Sequence, residues 1–164
     1  MQAKNKIVLI NFFVLAIFVA DRWFKLLFLK KFPQREFFLI GNYLKLKLAV
    51  NAGIAFGLNL PSWLIISLYC LIIFLLFWLL PAYWRKNESY KLLAVELIIA
   101  GAFSNLFDRL RVGQVIDYLD LKYYSIFNLA DTMIVVGIII LIVSDIKKDI
   151  KITSSKSQIP SNQF

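Results

Sequence analysis

The apolar positions along this chain fall into four long runs separated by polar connections. The first extends from about Ile7 to Leu29, the second from Ser62 to Trp84, the third from Leu92 to Phe107 and the fourth from Phe127 to Ser144. A helix rises about 1.5 Å per residue and needs about 20 apolar residues to cross a bilayer, so these runs predict four membrane spans. The second has no charge. The first is interrupted near its end by Asp21, Arg22 and Lys25, the third contains Glu96, and the fourth carries Asp131 near its start. Between the first two runs, Tyr43 to Val50 alternates polar and apolar residues, which predicts a strand with Leu44, Leu46 and Leu48 facing inward at the membrane interface. The expected fold is an all-α membrane protein of four transmembrane helices, with a small β-sheet between the first and second spans. From about residue 147 the chain is polar and serine-rich, which predicts a disordered tail over 147–164 behind a single membrane domain of residues 1–146.

Composition agrees with lipid as the solvent. Hydrophobic residues make up 60% of the 164 positions and charged ones 18%, against roughly half and a quarter in soluble domains. The net charge of +9 then points to membrane lipids with anionic headgroups and not to nucleic acid, for which there is no motif. Lys4 and Lys6 ahead of an apolar run resemble a secretory leader, but Phe18 with Ala20 makes a poor cleavage site, so the first run is expected to be a retained helix. Four spans put both termini on one side. The Lys and Arg residues divide almost evenly between the two sides, so the positive-inside rule gives no orientation. Cys70 lies mid-span with no possible disulfide partner, and Tyr69 before it breaks a lipobox.

The chain has no histidine. That excludes Ser-His and Cys-His nucleophiles and histidine zinc sites, and leaves acid–base work to carboxylates. No metal or cofactor is called for. Ionisable residues within or beside spans are costly and are functional candidates, here Asp21, Glu96, Asp108, Asp117 and Asp131. Asp131 follows Asn128 by three positions at the start of the fourth span, a spacing that equally fits a helix N-cap and capping box. Asp117, after the third span, reads by sequence alone more readily as an ordinary loop carboxylate, with Asp120 three residues on an equally plausible surface acid. Asp21 and Lys25, four apart, share a helix face and can pair. Adjacent Asp108 and Arg109 need separate partners, and Glu96 has no matching residue at helical spacing. Two carboxylates brought together would share a proton, the ionised one activating water and the protonated one polarising a carbonyl. The N-terminal end of the fourth helix favours Asp131 as the ionised member.

Five blocks, Asp21-Arg22-Trp23-Phe24-Lys25, Asn51-Ala52-Gly53-Ile54-Ala55-Phe56-Gly57, Asn105-Leu106-Phe107-Asp108-Arg109, Gly113-Gln114-Val115-Ile116-Asp117 and Phe127-Asn128-Leu129-Ala130-Asp131, resemble in order and spacing the signature of bacterial lipoprotein signal peptidase, signal peptidase II. The resemblance covers about residues 7 to 146. It implies an aspartyl endopeptidase of the bacterial inner membrane with cytoplasmic termini. Such an enzyme cleaves diacylglyceryl-modified prolipoproteins just before the lipidated cysteine and is open to globomycin-like cyclic peptide inhibitors. It further implies Asp117 and Asp131 as the catalytic pair, Asp21, Lys25, Asn51, Asn105, Arg109 and Asn128 as supporting residues, and Gly53 and Gly57 at a close backbone approach. A monomer is the default. Ser104 stands where the family usually has the second glycine of G-x-x-G-N, which bears on the fit around Asn105. Presenilin-type and prepilin-type proteases differ in carrying G-x-G-D, and rhomboid chemistry needs histidine. A small transporter relaying ions through Asp21, Glu96 and Asp131, or a membrane scaffold without chemistry, are the alternatives from other classes.

Overall fold

The computed structural model describes residues 3–53 and 60–156. Four helices, α1 (Ala3–Lys31), α2 (Ser62–Arg85), α3 (Ser89–Val112) and α4 (Leu129–Lys156), are each long and apolar enough to span a membrane. Three strands, β1 (Glu36–Ile40), β2 (Leu44–Asn51) and β3 (Val115–Leu121), form one antiparallel sheet in the order β1-β2-β3. The four spans and the small sheet are as expected, and the sheet gains a third strand from the segment between α3 and α4.

The helix α3 is the hub. One side packs Val95, Ile99, Ala102 and Leu106 against Ile73 of α2, and the other brings Leu97 against Val14 of α1 and Met133 of α4. Two glycines let α3 and α4 approach closely. A Cβ at Gly137 would lie 2.6 Å from the Ala94 carbonyl oxygen, and one at Gly101 would meet the Ala130 carbonyl. Small residues at helix crossings are how membrane helices gain packing without a hydrophobic driving force.

The polar end of α3 stops at Gly113, whose φ of 79° is the left-handed conformation open to glycine, and whose N–H closes on the Arg109 carbonyl at 3.0 Å. Two residues later β3 begins. Its Tyr118 stacks on Phe24 and Phe28 of α1 at centroid distances of 5.5 and 5.9 Å, which clamps the sheet to the end of α1. Asp117 points to the opposite face by the two-residue period of a strand.

The strand expected around Tyr43 to Val50 is present as β2, but its burial does not alternate. Leu44 and Leu46 are half-buried, and so are Lys45 and Lys47, because Lys45 reaches Glu36 and Lys47 reaches Asp120 across the sheet. Leu48 falls in a bulge: Leu46 pairs with Leu119 and Ala49 with Asp117, one residue more on β2 than on β3. An unbroken strand would turn Asn51 to the side of Lys45 and Lys47. The bulge reverses that parity and places Asn51 opposite Val115, on the face of Asp117.

At the other end of the chain α4 continues to Lys156, ten residues into the segment expected to be a disordered tail from 147. Propagating an established helix adds one hydrogen bond per residue, and no proline or glycine interrupts this stretch before Pro160. Residues 157–164 of that tail, and Gly57, lie outside the described residues.

Candidate active site

Asp131 occupies the first turn of α4, and its placement follows from local sequence. The Asn128 Oδ1 accepts the Asp131 N–H at 2.8 Å and the Asp131 Oδ2 accepts the Asn128 N–H at 3.3 Å, a reciprocal capping box that fixes both side chains. The capping alternative and the site alternative therefore coexist. Asn128 also donates through Nδ2 to the Asp117 Oδ1 at 2.6 Å. One asparagine thus holds a carboxylate from β3 and one from the start of α4.

From α3, Asn105 donates through Nδ2 to the Asp131 Oδ1 at 2.7 Å. Its own Oδ1 accepts from Lys25 Nζ at 2.8 Å, so the amide cannot turn over without losing a charged donor. Lys25 is fully buried and stands between two fully buried carboxylates, Asp21 at 3.2 Å and Asp108 at 2.8 Å. Arg22 takes the other oxygen of Asp108 at 2.6 Å. Two cations meet two anions here, and the remaining lone pairs are filled. Asp21 accepts from Tyr118 Oη at 2.9 Å, Ser104 Oγ at 2.6 Å and the Ala130 N–H at 3.2 Å. Burial, reinforced by the Asp21 carboxylate, pushes the Tyr118 phenol well above its usual range and keeps it a donor. The Asp21–Lys25 pair expected from spacing is formed, and Asp108 and Arg109 do find separate partners.

Ser104 answers the doubt raised by its place in the motif. Its hydroxyl donates to Asp21 and accepts from Arg22 at 3.2 Å, so the extra atoms enter the network instead of displacing Asn105. Arg109, also buried, donates to the Ala52 and Gly53 carbonyl oxygens at 3.3 and 2.5 Å and pins the end of β2 to α3. The Gly53 N–H in turn closes on the Asn51 Oδ1 at 3.0 Å.

These residues border a cavity of about 630 Å³ whose wall includes Asn51, Gly53, Asn105, Arg109, Asp117 and Asp131. Tyr69 of α2 and Ile134 and Val135 of α4 extend it along the helices. Burial raises the Asp117 carboxyl from 3.8 to about 7, with the Asp131 charge adding to the effect; the Asn128 hydrogen bond, the Lys25 charge and Asn51 pull the other way. Every residue singled out from sequence and described in the structure lies in this one assembly except Glu96. That residue sits lower in α3, where Asn11 of α1, with its amide turned to donate, reaches both carboxylate oxygens at 3.0 Å. Arg22, Ser104, Tyr118 and Tyr69 belong to the assembly and went unassigned from sequence. Their partners are far away in the chain, and only the presence of Arg22 inside a signature block and of Ser104 at the second glycine position of G-x-x-G-N could have marked them.

Four spanning helices, a sheet seated at one end and two carboxylates bordering one cavity define a multi-pass membrane protein with a paired-carboxylate site. Residues 13–147 match the family described as Signal peptidase (SPase) II. A lipoprotein signal peptidase of Halothermothrix orenii is 35% identical over 130 residues, covering 79% of this chain and 89% of that one. One of Sinorhizobium fredii is 33% identical over 156 residues, covering 90% and 92%. Among solved structures, a bacterial membrane enzyme determined by the in meso method superposes with a TM-score of 0.77 at 24% identity, over 94% of this chain and 93% of that one. The chain belongs to the signal peptidase II family, and is thus a membrane-spanning bacterial protease.

Proposed function

We propose that this protein removes the signal peptide from diacylglyceryl-modified prolipoproteins, cutting just before the lipidated cysteine, as an aspartic endopeptidase whose catalytic groups are Asp117 and Asp131. The observation that carries this reading is that one residue, Asn128, holds both carboxylates at one cavity, donating to Asp117 through its side-chain amide and to Asp131 through its backbone N–H. Asp117, whose carboxyl is pushed up to about 7 and so keeps a proton on a large fraction of molecules at neutral pH, is the protonated member in this scheme. Asp131, whose oxygens accept from Asn105 and Asn128, is the base. In this scheme Asp131 takes a proton from water, the water oxygen bonds to the scissile carbonyl carbon, and Asp117 hydrogen-bonds the carbonyl oxygen. As the C–N bond breaks, a carboxyl proton passes to the leaving amine.

The supporting residues act through position. Lys25 and Asp21 set Asn105 and the first turn of α4, while Asn51, Gly53 and Arg109 form the rim that a peptide meets on entry. Tyr69, Ile134 and Val135 offer apolar wall to a signal-peptide helix or acyl chain. Both aspartates come from one chain, so a monomer suffices. The start of α1 and the end of α4 lie at the end of the helices away from the site, which fits cytoplasmic termini and a substrate anchored in the outer leaflet of the inner membrane.

The test is cleavage by purified protein of one prolipoprotein supplied with and without its diacylglyceryl group, with the new N-terminus read by mass spectrometry. The lipidated substrate should be cut immediately before the modified cysteine and the unlipidated one spared. Equal cleavage of both, or cleavage elsewhere, would remove the substrate assignment.

A further inference from the structure

Charge accounting leaves one surface unexplained. The end of the molecule bearing the sheet holds as many Lys and Arg residues as the opposite end, where α1 begins and α4 stops, although basic residues normally gather on one side of a membrane protein. Of the sheet's acids, Asp117 faces the cavity, and the other two are already engaged, Glu36 with Lys45 and Asp120 with Lys47. Lys30, Lys31, Arg35 and Lys122 are exposed and, among the described residues, have no ion-pair partner. They flank β1: the first three precede it, and Lys122 lies by the hairpin tip, with its Nζ 5.1 Å from the Tyr43 ring centroid.

Between these cations β1 itself is an edge strand of apolar residues. Phe37 packs on Phe28 and Phe32, but Phe38 is 58% and Ile40 63% exposed. In water such an edge would invite aggregation. Its depth offers another solvent. At about 1.5 Å per residue the 29 residues of α1 reach about 43 Å, the thickness of hydrocarbon plus headgroups, which sets Lys30, Lys31 and the strand that follows at headgroup level.

We propose that the β1 edge and the cations at its two ends, Lys30, Lys31, Arg35 and Lys122, form a binding surface for anionic phospholipid headgroups. The phosphates engage the four cations, and the acyl chains below cover Phe38 and Ile40. This surface is separate from the cavity of Asp117 and Asp131, and it gives the sheet end a lipid preference whatever peptide is cleaved there.

Trp23, exposed on α1 and two turns before Lys30, reports on the lipids at this end. The experiment uses full-length protein retaining Trp23 as its only tryptophan, in bilayers where brominated phosphatidylglycerol competes with brominated phosphatidylcholine as quencher. Wild-type side chains should favour phosphatidylglycerol, and each cation replaced by Gln should lower that preference about five-fold until the Lys30→Gln/Lys31→Gln/Arg35→Gln/Lys122→Gln protein shows none. The charge-conserving Lys30→Arg/Lys31→Arg/Arg35→Lys/Lys122→Arg protein should keep the preference. Three results would overturn the proposal. One is an undiminished preference in the Gln protein. Another is an equal loss on Arg85→Gln/Lys86→Gln at the opposite end. The third is displacement of the lipid by inorganic phosphate beyond that by chloride of equal ionic strength, which would assign the cations to a free anion.

Discussion

Replacing Asn128 with alanine separates what holds the dyad from what folds the protein. The substitution removes the 2.6 Å hydrogen bond to Asp117 and the side-chain cap on the Asp131 N–H. Loss of an N-cap costs about 1 kcal/mol of stability. The larger consequence is for protonation. A hydrogen bond to a charged acceptor is worth about 1.5–3 kcal/mol and one to a neutral acceptor about 0.5–1.5, so Asn128 favours ionised over protonated Asp117 by about 1–1.5 kcal/mol. Dividing by about 1.4 kcal/mol per unit, its removal should raise the Asp117 value by about one pH unit from its position near 7. Activity requires one proton on the pair, so it should fall in wild type as pH rises through about 7, and the fall in Asn128→Ala should come about one unit later. The assay is kcat/KM for a lipidated substrate against pH, in detergent or bilayer of fixed composition. The midpoint belongs to the dyad as a unit, so its displacement is the quantity compared. A lower kcat with an unmoved basic limb would reduce Asn128 to a helix cap, and a limb displaced to lower pH would refute the reasoning.

The remaining predictions concern the supports. Lys25→Met leaves Asp21 and Asp108 buried with one cation fewer and should cost about 3–5 kcal/mol, read as a thermal unfolding midpoint lower by on the order of 10 °C. Asp117 binds its proton more tightly folded than unfolded, so the stability it contributes is full at low pH and lost as pH rises through about 7. Asp117→Asn should therefore unfold at a higher temperature than wild type above that pH and show no advantage near pH 4. Gly137→Val would drive side-chain atoms into the Ala94 carbonyl, and should abolish monodisperse folded protein by size-exclusion chromatography, whereas Ser89→Val at the far end of α3 should not.

Local periodicity carried the spans, the capping of Asp131 by Asn128 and the Asp21–Lys25 pair, because each is decided within a few residues. It did not carry β3. Val115-Ile116-Asp117-Tyr118 has no clean alternation, since one face packs on Phe24 and Phe28 of α1 while the other lines the cavity, and both are buried. The bulge that turns Asn51 toward Asp117 is equally silent in sequence, because it is a mismatch of length between two strands distant in the chain. The partners of Asp108, Ser104 and Glu96 were invisible for the same reason: Arg22, Asp21 and Asn11 come from another helix. Residue types announced that these groups needed partners, and only the packing of α1 on α3 decided which ones.

The most direct measurement of the central claim is the rate of cleavage of lipidated prolipoprotein by Asp117→Asn and Asp131→Asn, each first shown to unfold with the cooperativity of wild type. Both variants should retain no cleavage above background while remaining folded, because neither an activated water nor a shared proton survives the loss of either carboxylate. Turnover within a few-fold of wild type in either folded variant would contradict the account, since it would leave one aspartate without a chemical role.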